Sequence, residues 1–90
     1  MPELTEEMPI VNPLGLHARP AASLVQVVLK FKSDVYVQVN GQRVNAKSIM
    51  GLLTLAAAQG SRMSVSCSGP DAAEALEAVR TLVQAGFGES

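Results

Sequence analysis

The strongest constraint on the fold is a stretch of the chain in which polar and apolar residues alternate one by one. The segment Asp34 to Val39 reads Asp-Val-Tyr-Val-Gln-Val. Because successive side chains of a strand point to opposite faces of a sheet, this pattern predicts a strand with one buried face. The next two residues, Asn40-Gly41, are typical of a type I′ turn, so we expect Gln42 to Asn45 to be the antiparallel partner strand.

Two further strands are predicted on either side of this hairpin. Residues 1–7 are polar and acidic and are expected to be a loose lead-in to a strand from Met8 to Asn12. Pro9 lacks the N–H group that a ladder hydrogen bond needs, which places that strand at a sheet edge. From Arg62 to Ser68 the alternation returns. Three of its residues are expected to face inward (Met63, Val65 and Cys67) and three outward (Ser64, Ser66 and Ser68).

Three helices are predicted between and after the strands. The first is expected from about Pro20 to Lys32, with Pro20 as its first residue, because proline suits that position. Ser48 is a good N-cap for a short second helix from Ile49 to Leu55. Asp71 and Glu74 resemble a capping box at the start of the third helix.

The order of these elements, β-α-β-β-α-β-α, predicts an α+β fold. An antiparallel sheet with one apolar face is expected to be covered on that face by the helices. The 90 residues are expected to form a single domain, residues 1–90. Since 48% of the residues are apolar and only 3% are aromatic, the core must consist mainly of aliphatic side chains.

The composition argues against several classes of function. The net charge is −1 and the seven Lys and Arg residues are scattered, so no basic face is expected for nucleic acid. Cys67 is the single cysteine, which allows no internal disulfide and no zinc pattern; we expect neither a metal nor a cofactor. No stretch approaches the roughly 20 apolar residues of a membrane helix, and the amino terminus lacks the pattern of a signal peptide. A cytoplasmic protein without membrane insertion is therefore expected.

The segment from Gly15 to Pro20, Gly-Leu-His-Ala-Arg-Pro, holds the single histidine of the chain. His17 and Arg19 precede the predicted helix start, where backbone N–H groups and the helix dipole favour an anion such as a phosphate. Histidine titrates near neutral pH wherever it stands, so a single histidine in an arbitrary chain is more often an ordinary surface or core residue. The combination of imidazole, guanidinium and proline-marked helix start nevertheless indicates a phosphate-handling site with His17 as the nucleophile.

Two ordered motifs resemble the HPr family, the histidine-containing phosphocarriers of the bacterial phosphotransferase system. Gly15 to Ala22, GLHARPAA, is similar to the active-site signature of the family, and Asn45 to Leu52, NAKSIMGL, is similar to its regulatory serine segment. The resemblance extends from about Ile10 to the C-terminus. It implies an open-faced β-sandwich, in which four antiparallel strands in the spatial order 1-4-2-3 carry three helices on one face.

The resemblance also implies a function. His17 matches the histidine to which enzyme I, phosphorylated from phosphoenolpyruvate, transfers a phosphoryl group at Nδ1. The group then passes to a histidine of an EIIA-type domain during sugar uptake. Arg19 is expected to hold the phosphoryl oxygens by charge-assisted hydrogen bonds, together with the backbone N–H groups of Ala18 and Arg19. Such a protein is a monomeric carrier rather than a stand-alone enzyme.

Further residues acquire roles through the same resemblance. Ser48 matches the serine that an HPr kinase/phosphorylase modifies in some bacteria, but an ordinary N-cap serine needs no kinase to explain it. The apolar residues expected to form a partner-docking patch are Ala22, Ile49, Met50 and Leu53. Exposed apolar clusters usually mark interfaces; the competing interpretation is that some leucines of the short helix belong to the core.

Alternative functions stay open at the level of the sequence. The run Asn12 to His17 and the tail Gly86 to Glu89 look somewhat like carriers of the nitrogen-related regulatory phosphotransfer chain, whereas Lys47 to Gly51 looks more like conventional HPr. A regulatory binding module that has lost phosphoryl transfer is a different class, and the presence of His17 and Arg19 argues against it. A free-standing enzyme has little support, because clustered carboxylates, metal ligands and a catalytic triad are lacking in the sequence.

Overall fold

Four strands and three helices make up the part of the chain that the computed structural model describes, residues 3–88. The strands are β1 (Leu4–Pro9), β2 (Asp34–Val39), β3 (Gln42–Asn45) and β4 (Arg62–Ser68). The helices are α1 (Ala18–Val28), α2 (Ile49–Thr54) and α3 (Ala72–Gln84), and a short 3₁₀ turn, Gly86–Gly88, follows α3. The predicted order of elements is confirmed.

The strands form one antiparallel sheet in the spatial order β1-β4-β2-β3, with the helices on one face and the other face open. The prediction of an α+β open-faced sandwich is therefore confirmed. In the β2-β3 hairpin, φ is 52° at Asn40 and 81° at Gly41. Positive φ at both central residues defines the type I′ turn, and Val39 pairs with Gln42 across it as expected.

The central strand β4 follows its predicted alternation with one exception. Met63, Val65 and Cys67 are fully buried on the helix side of the sheet. Ser66 is also buried although it belongs to the open face. Its hydroxyl lies 3.1 Å from that of Thr5 on the neighbouring strand β1, so the two side chains cover each other.

The first strand begins earlier than predicted. The expectation was a strand from Met8 to Asn12 after a loose lead-in, but β1 runs from Leu4 to Pro9 and pairs with β4 over its whole length. Residues 1 and 2 of that lead-in lie outside the described residues. The acidic residues of this segment favoured a solvent-exposed lead-in over a strand. In the structure Glu6 lies on the helix side of the sheet and is paired with Arg80 of α3 at 2.6 Å. The edge position predicted from Pro9 is confirmed.

The helices α1 and α3 bury their apolar faces against the sheet, as predicted. Leu24 and Val28 of α1 and Val79 and Val83 of α3 are almost completely buried. The facing side chains of the sheet include the three valines of β2. Removing such side chains from water supplies roughly 1.5–3 kcal/mol each. Within residues 3–88, every helix is too short or too polar to cross a bilayer.

A contact that was not predicted from the sequence joins the turn after α1 to the start of α3. Asp71 precedes α3 but does not form the predicted capping box within the described chain. Its carboxylate instead accepts hydrogen bonds from the backbone N–H groups of Lys32 and Ser33, each at 2.9 Å. This contact holds the turn after α1. The helix itself ends at Val28, four residues before the predicted Lys32.

Candidate functional site

His17 is the N-cap residue of α1. The helix begins at Ala18, two residues earlier than predicted, and the first intrahelical bond runs from Ala21 N to His17 O at 3.0 Å. Pro20 is therefore the third helical residue and not the first. Proline is accepted there because the N–H groups of the first turn have no intrahelical acceptor in any case. His17 itself has extended backbone angles, with φ −85° and ψ −167°.

The first turn of α1 offers backbone donors beside the imidazole. Ala18 and Arg19 both carry N–H groups without an intrahelical acceptor, whereas Pro20 has none to offer. Both residues are exposed, and His17 is half-buried. The first turn contains no acidic residue among those described. The arrangement suits an anion held next to the imidazole of His17.

The loop before His17 is held tightly against the loop that follows α2. Gly15 has φ 68°, and a Cβ atom at this position would lie 2.2 Å from the carbonyl oxygen of Ala57. The next residue, Leu16, donates its backbone N–H to that same oxygen at 2.8 Å. Only glycine allows this approach. The backbone leading into His17 is thus anchored to a second segment 40 residues away along the chain.

Asn12 is a buried polar residue of this loop for which no role was predicted from the sequence. Its side-chain Nδ2 donates to the carbonyl oxygen of Gly15 at 2.7 Å. In the sequence the signal that could have drawn attention to it is its place in an Asn-Pro turn pair, since asparagine side chains commonly bond to nearby backbone.

Ser48 is the N-cap of α2, as predicted. Its hydroxyl oxygen accepts a hydrogen bond from Gly51 N at 3.1 Å, and the residue is exposed. The short helix therefore begins where the sequence placed it, and it ends at Thr54, one residue before the predicted Leu55. Modification of Ser48 stays a prediction.

Exposed apolar side chains lie on α2 and on the loop before His17. The exposed fractions are 42% for Ile49, 73% for Met50 and 37% for Leu53, whereas Ala22 of α1 is half-buried. Leu52 and Leu55 belong to the core, so the helix divides its apolar residues between interior and surface. Leu14, which was not predicted from the sequence as part of this surface, is 75% exposed.

A shallow hollow of about 270 Å³ connects these surfaces. Leu14, His17 and Leu53 line it, together with Leu16 and the residues Ala56 to Ala58. We call Leu14, Ile49, Met50 and Leu53 the apolar patch. Because Leu14 and Leu53 share the hollow with the imidazole, a molecule that covers the patch also reaches His17.

Other reactive groups are not assembled into a site. Among residues 3–88, no group of three or more His, Cys, Asp or Glu side chains could hold a metal ion. Burial raises the pKa of the Cys67 thiol to about 11. The thiol is therefore protonated at neutral pH and is not a nucleophile.

Comparison with known proteins identifies the class to which this fold and site belong. Residues 4–85 match the family model described as PTS HPr component phosphorylation site. The chain is 46% identical over 86 residues to the phosphocarrier protein HPr of Neisseria meningitidis serogroup A, covering 96% of this chain and 97% of that protein. It is 45% identical, over the same shares, to HPr of Cupriavidus necator.

A solved structure agrees. The crystal structure of HPr-C-His from Thermoanaerobacter tengcongensis superimposes with a TM-score of 0.90 at 44% identity, and the match covers 100% of this chain and 99% of that one. The chain belongs to the HPr family and is a phosphocarrier of the phosphotransferase system. The resemblance found in the two motifs is confirmed.

Proposed function

We propose that His17 accepts a phosphoryl group at Nδ1 from enzyme I and passes it to a histidine of an EIIA-type domain during sugar uptake. The observation that carries the proposal is the position of His17 as N-cap of α1, beside the backbone N–H groups of Ala18 and Arg19. Within this assignment the chain acts as a single cytoplasmic domain and as a monomer.

In this transfer the imidazole of His17 acts first as the nucleophile and then as the leaving group. The lone pair of Nδ1 attacks phosphorus while the bond between phosphorus and the donor atom of enzyme I breaks. The bonding electron pair leaves with the donor, and His17 keeps its hydrogen on Nε2. In the second step the roles reverse: the acceptor imidazole attacks phosphorus, the Nδ1–P bond breaks, and its electron pair returns to His17.

The helix start supplies the electrostatic part of the transfer. The phosphoryl oxygens carry negative charge throughout, and donors aimed at that charge stabilise both the transition state and the phosphorylated form. Ala18 N and Arg19 N are fixed by the helix and need no rearrangement. The exposed guanidinium of Arg19 adds charge-assisted hydrogen bonds. Since the site is open to solvent, it holds the group without enclosing it, which suits onward transfer.

Partner docking is assigned to the apolar patch together with Ala22. Met50 and Leu14 are exposed to nearly three quarters of their area, and such side chains are favourable anchors for a partner protein. Both enzyme I and the EIIA-type domain must bring their reacting atom to Nδ1 of His17. The two partners therefore use overlapping surfaces and bind one after the other.

Ser48 is assigned a regulatory role in the same surface. Its hydroxyl is exposed and stands directly before Ile49 and Met50. A phosphate attached there by an HPr kinase/phosphorylase is tolerated by the helix start. The added negative charge beside the apolar patch weakens docking of enzyme I.

An intact-mass experiment tests the central assignment. The protein is incubated with phosphoenolpyruvate and the enzyme I of the same bacterium, and its mass is measured before and after mild acid. The expected result is one added phosphoryl group that acid removes, as befits a phosphohistidine. The variant His17→Ala is expected to stay unmodified with its fold intact; phosphoryl uptake by this variant contradicts the assignment.

A second assay separates sugar uptake from nitrogen-related regulation. The phosphorylated protein is mixed with EIIA-type domains of each branch, and the loss of label from His17 is followed in time. Faster transfer to sugar-specific domains supports the uptake role. Faster transfer to the nitrogen-related domain reassigns the chain to the regulatory branch.

A further inference from the structure

Asn12 closes the loop that leads from β1 to the candidate phosphorylation site. The residue is 2% exposed. Its Nδ2 donates to Gly15 O at 2.7 Å, and Gly15 N donates back to Asn12 O at 3.1 Å. A backbone bond and a side-chain bond thus fix the same four-residue turn from both sides.

These bonds immobilise one peptide group in particular, the one that joins Gly15 to Leu16. Its oxygen accepts from Nδ2 of Asn12, and its N–H, that of Leu16, donates to Ala57 O at 2.8 Å. Leu16 is 3% exposed, so its side chain is anchored in the core as well. Few backbone rotations remain between this peptide and the imidazole of His17.

We propose that Asn12 is a positioning residue for phosphoryl transfer at His17. The inference rests on the function proposed above and deepens it. His17 is tied to α1 through its carbonyl oxygen, which accepts from Ala21 N. On its other side the chain is tied through the Gly15–Leu16 peptide, which Asn12 holds. The imidazole is thereby kept at a constant position relative to the N–H groups of Ala18 and Arg19.

Positioning of this kind affects rate more than binding. Phosphoryl transfer requires that the nucleophile and the donors to the phosphoryl oxygens meet the same group in one geometry, and displacements of about 1 Å cost as much as a hundredfold in rate. The partner, in contrast, binds through the apolar patch, and three of its four members, Ile49, Met50 and Leu53, lie on α2, outside the turn that Asn12 holds. Loss of the Asn12 amide therefore lowers kcat and leaves KM nearly unchanged.

The chemistry of the side chain explains why an amide is suited to the position. A carboxylate of the same size has no hydrogen to donate to Gly15 O and faces that oxygen with negative charge. An alanine leaves the carbonyl without its side-chain donor in a buried place, which is unfavourable. Asn12→Asp keeps the volume but removes the donor, whereas Asn12→Ala removes both.

Gln59 offers a matched control. Its Nε2 donates to the carbonyl oxygen of Val11, next to Asn12, at 2.9 Å. This is also an amide-to-backbone bond onto the same loop, but it is exposed and does not involve the Gly15–Leu16 peptide. Gln59→Ala should therefore leave the geometry at His17 unchanged.

The experiment measures phosphoryl transfer from phosphorylated enzyme I to each variant by rapid quench, at several carrier concentrations. For Asn12→Ala and Asn12→Asp we expect kcat to fall about tenfold or more, with KM within about twofold. Amide hydrogen exchange at Leu16 should become faster in both variants. Gln59→Ala should match the parent protein in all three quantities.

The result that overturns the inference is a folded Asn12 variant with parental kcat. Circular dichroism and the amide spectrum establish folding, and if Asn12→Ala does not fold, the isosteric Asn12→Asp decides. Failure of the underlying function looks different. If the proposed function is wrong, His17→Ala still takes up the phosphoryl group. If His17→Ala loses uptake but the Asn12 variants keep the parental kcat, only the positioning role is refuted.

Discussion

Asp71 and Ser33 are joined by three hydrogen bonds. Ser33 donates its backbone N–H to the Asp71 carboxylate at 2.9 Å, and Asp71 donates its own N–H to the Ser33 hydroxyl at 3.2 Å. A third bond runs from the Ser33 hydroxyl to the same carboxylate at 2.5 Å. Ser33 is completely buried. The pair fixes the turn after α1 against the start of α3.

Because of this contact, the free energy of unfolding of the protein should depend on pH in the acidic range. The hydrogen bond from Ser33 above all, and that from Lys32 N, lower the pKa of the Asp71 carboxyl below its ordinary 3.8. A carboxyl with a depressed folded-state pKa contributes stability that is fully present above its unfolded pKa and is lost as the pH falls through the folded value. We expect Asp71→Asn to be less stable than the parent at pH 7. As the pH falls below about 4, its free energy of unfolding should decrease less than that of the parent.

Urea unfolding at neutral and acidic pH checks this prediction. In Asp71→Asn, part of the decrease in stability at acidic pH should remain, because the hydrogen bond from Arg80 lowers the pKa of Glu6 as well. Asp34→Asn, a change at the exposed start of β2, is the control. Equal acid dependence in the Asp71 variant and the parent is incompatible with this account.

Arg19→Ala should slow phosphoryl transfer without abolishing it. A hydrogen bond to a charged group is worth about 1.5–3 kcal/mol, which corresponds to a decrease of about ten- to a hundredfold in rate. The backbone N–H at residue 19 stays in place, so uptake should still reach completion. Rapid-quench kinetics with phosphorylated enzyme I give the rate. An unchanged rate would show that the Arg19 side chain has no role in the transfer.

Ser48→Asp separates charge from capping. Aspartate is as good an N-cap as serine, whereas alanine costs about 1 kcal/mol at such a position. We therefore expect Ser48→Asp to keep the parental stability and to raise KM for enzyme I, and Ser48→Ala to lower stability with KM unchanged. The rise in KM should shrink in high salt, because salt screens exposed charges. Identical kinetics for all three proteins would leave Ser48 as a cap only.

Replacement of the most exposed residues of the apolar patch should weaken docking. Truncating an anchor residue costs more than about 1 kcal/mol, so Met50→Ser and Leu14→Ser should each raise KM for enzyme I by about fivefold or more, with kcat nearly constant. The control is Leu29→Ser, since Leu29 is 61% exposed at the opposite end of α1. Equal KM values for Leu29→Ser and Met50→Ser argue against a docking role of the patch.

Gly15→Ala should damage the fold more than a comparable change elsewhere. Its Cβ would collide with the Ala57 carbonyl, and φ is positive, so we expect a loss of about 2–5 kcal/mol in the free energy of unfolding. Gly60 has φ 88° but open space around it, and Gly60→Ala should cost only about 1–2 kcal/mol. The difference between their free energies of unfolding, measured with urea, gives the part of the loss that is due to the close approach of the Gly15 and Ala57 loops.

The sequence predicted those elements whose signal is local. Alternation and the Asn-Gly turn located β2 and β3 to the residue, and the serine cap located α2. The errors concern contacts between distant residues. The acidic strand β1 contains Glu6, whose partner Arg80 lies 74 residues further along the chain, and the role of Asp71 depends on Ser33, 38 residues earlier. Neither partner can be read from a local pattern.

The candidate site divides in the same way. His17, Ala18 and Arg19 lie next to one another in the chain, so a short motif was sufficient to find them. The exposure of Leu14 and the burial of Asn12 follow from how their loop packs against Ala57, which no pattern within the loop encodes. The helix start was misplaced by two residues because proline is tolerated throughout the first turn.

The two edge strands carry a last consequence for how the protein behaves at high concentration. An exposed sheet edge is a template on which a strand of another molecule can pair, and short edges and charged side chains discourage this. Here β3 has four residues and carries Arg43, and β1 carries Glu6 and Glu7 and ends at Pro9. A strand added at either border would have to lie beside these charges, so the sheet resists growth into larger aggregates.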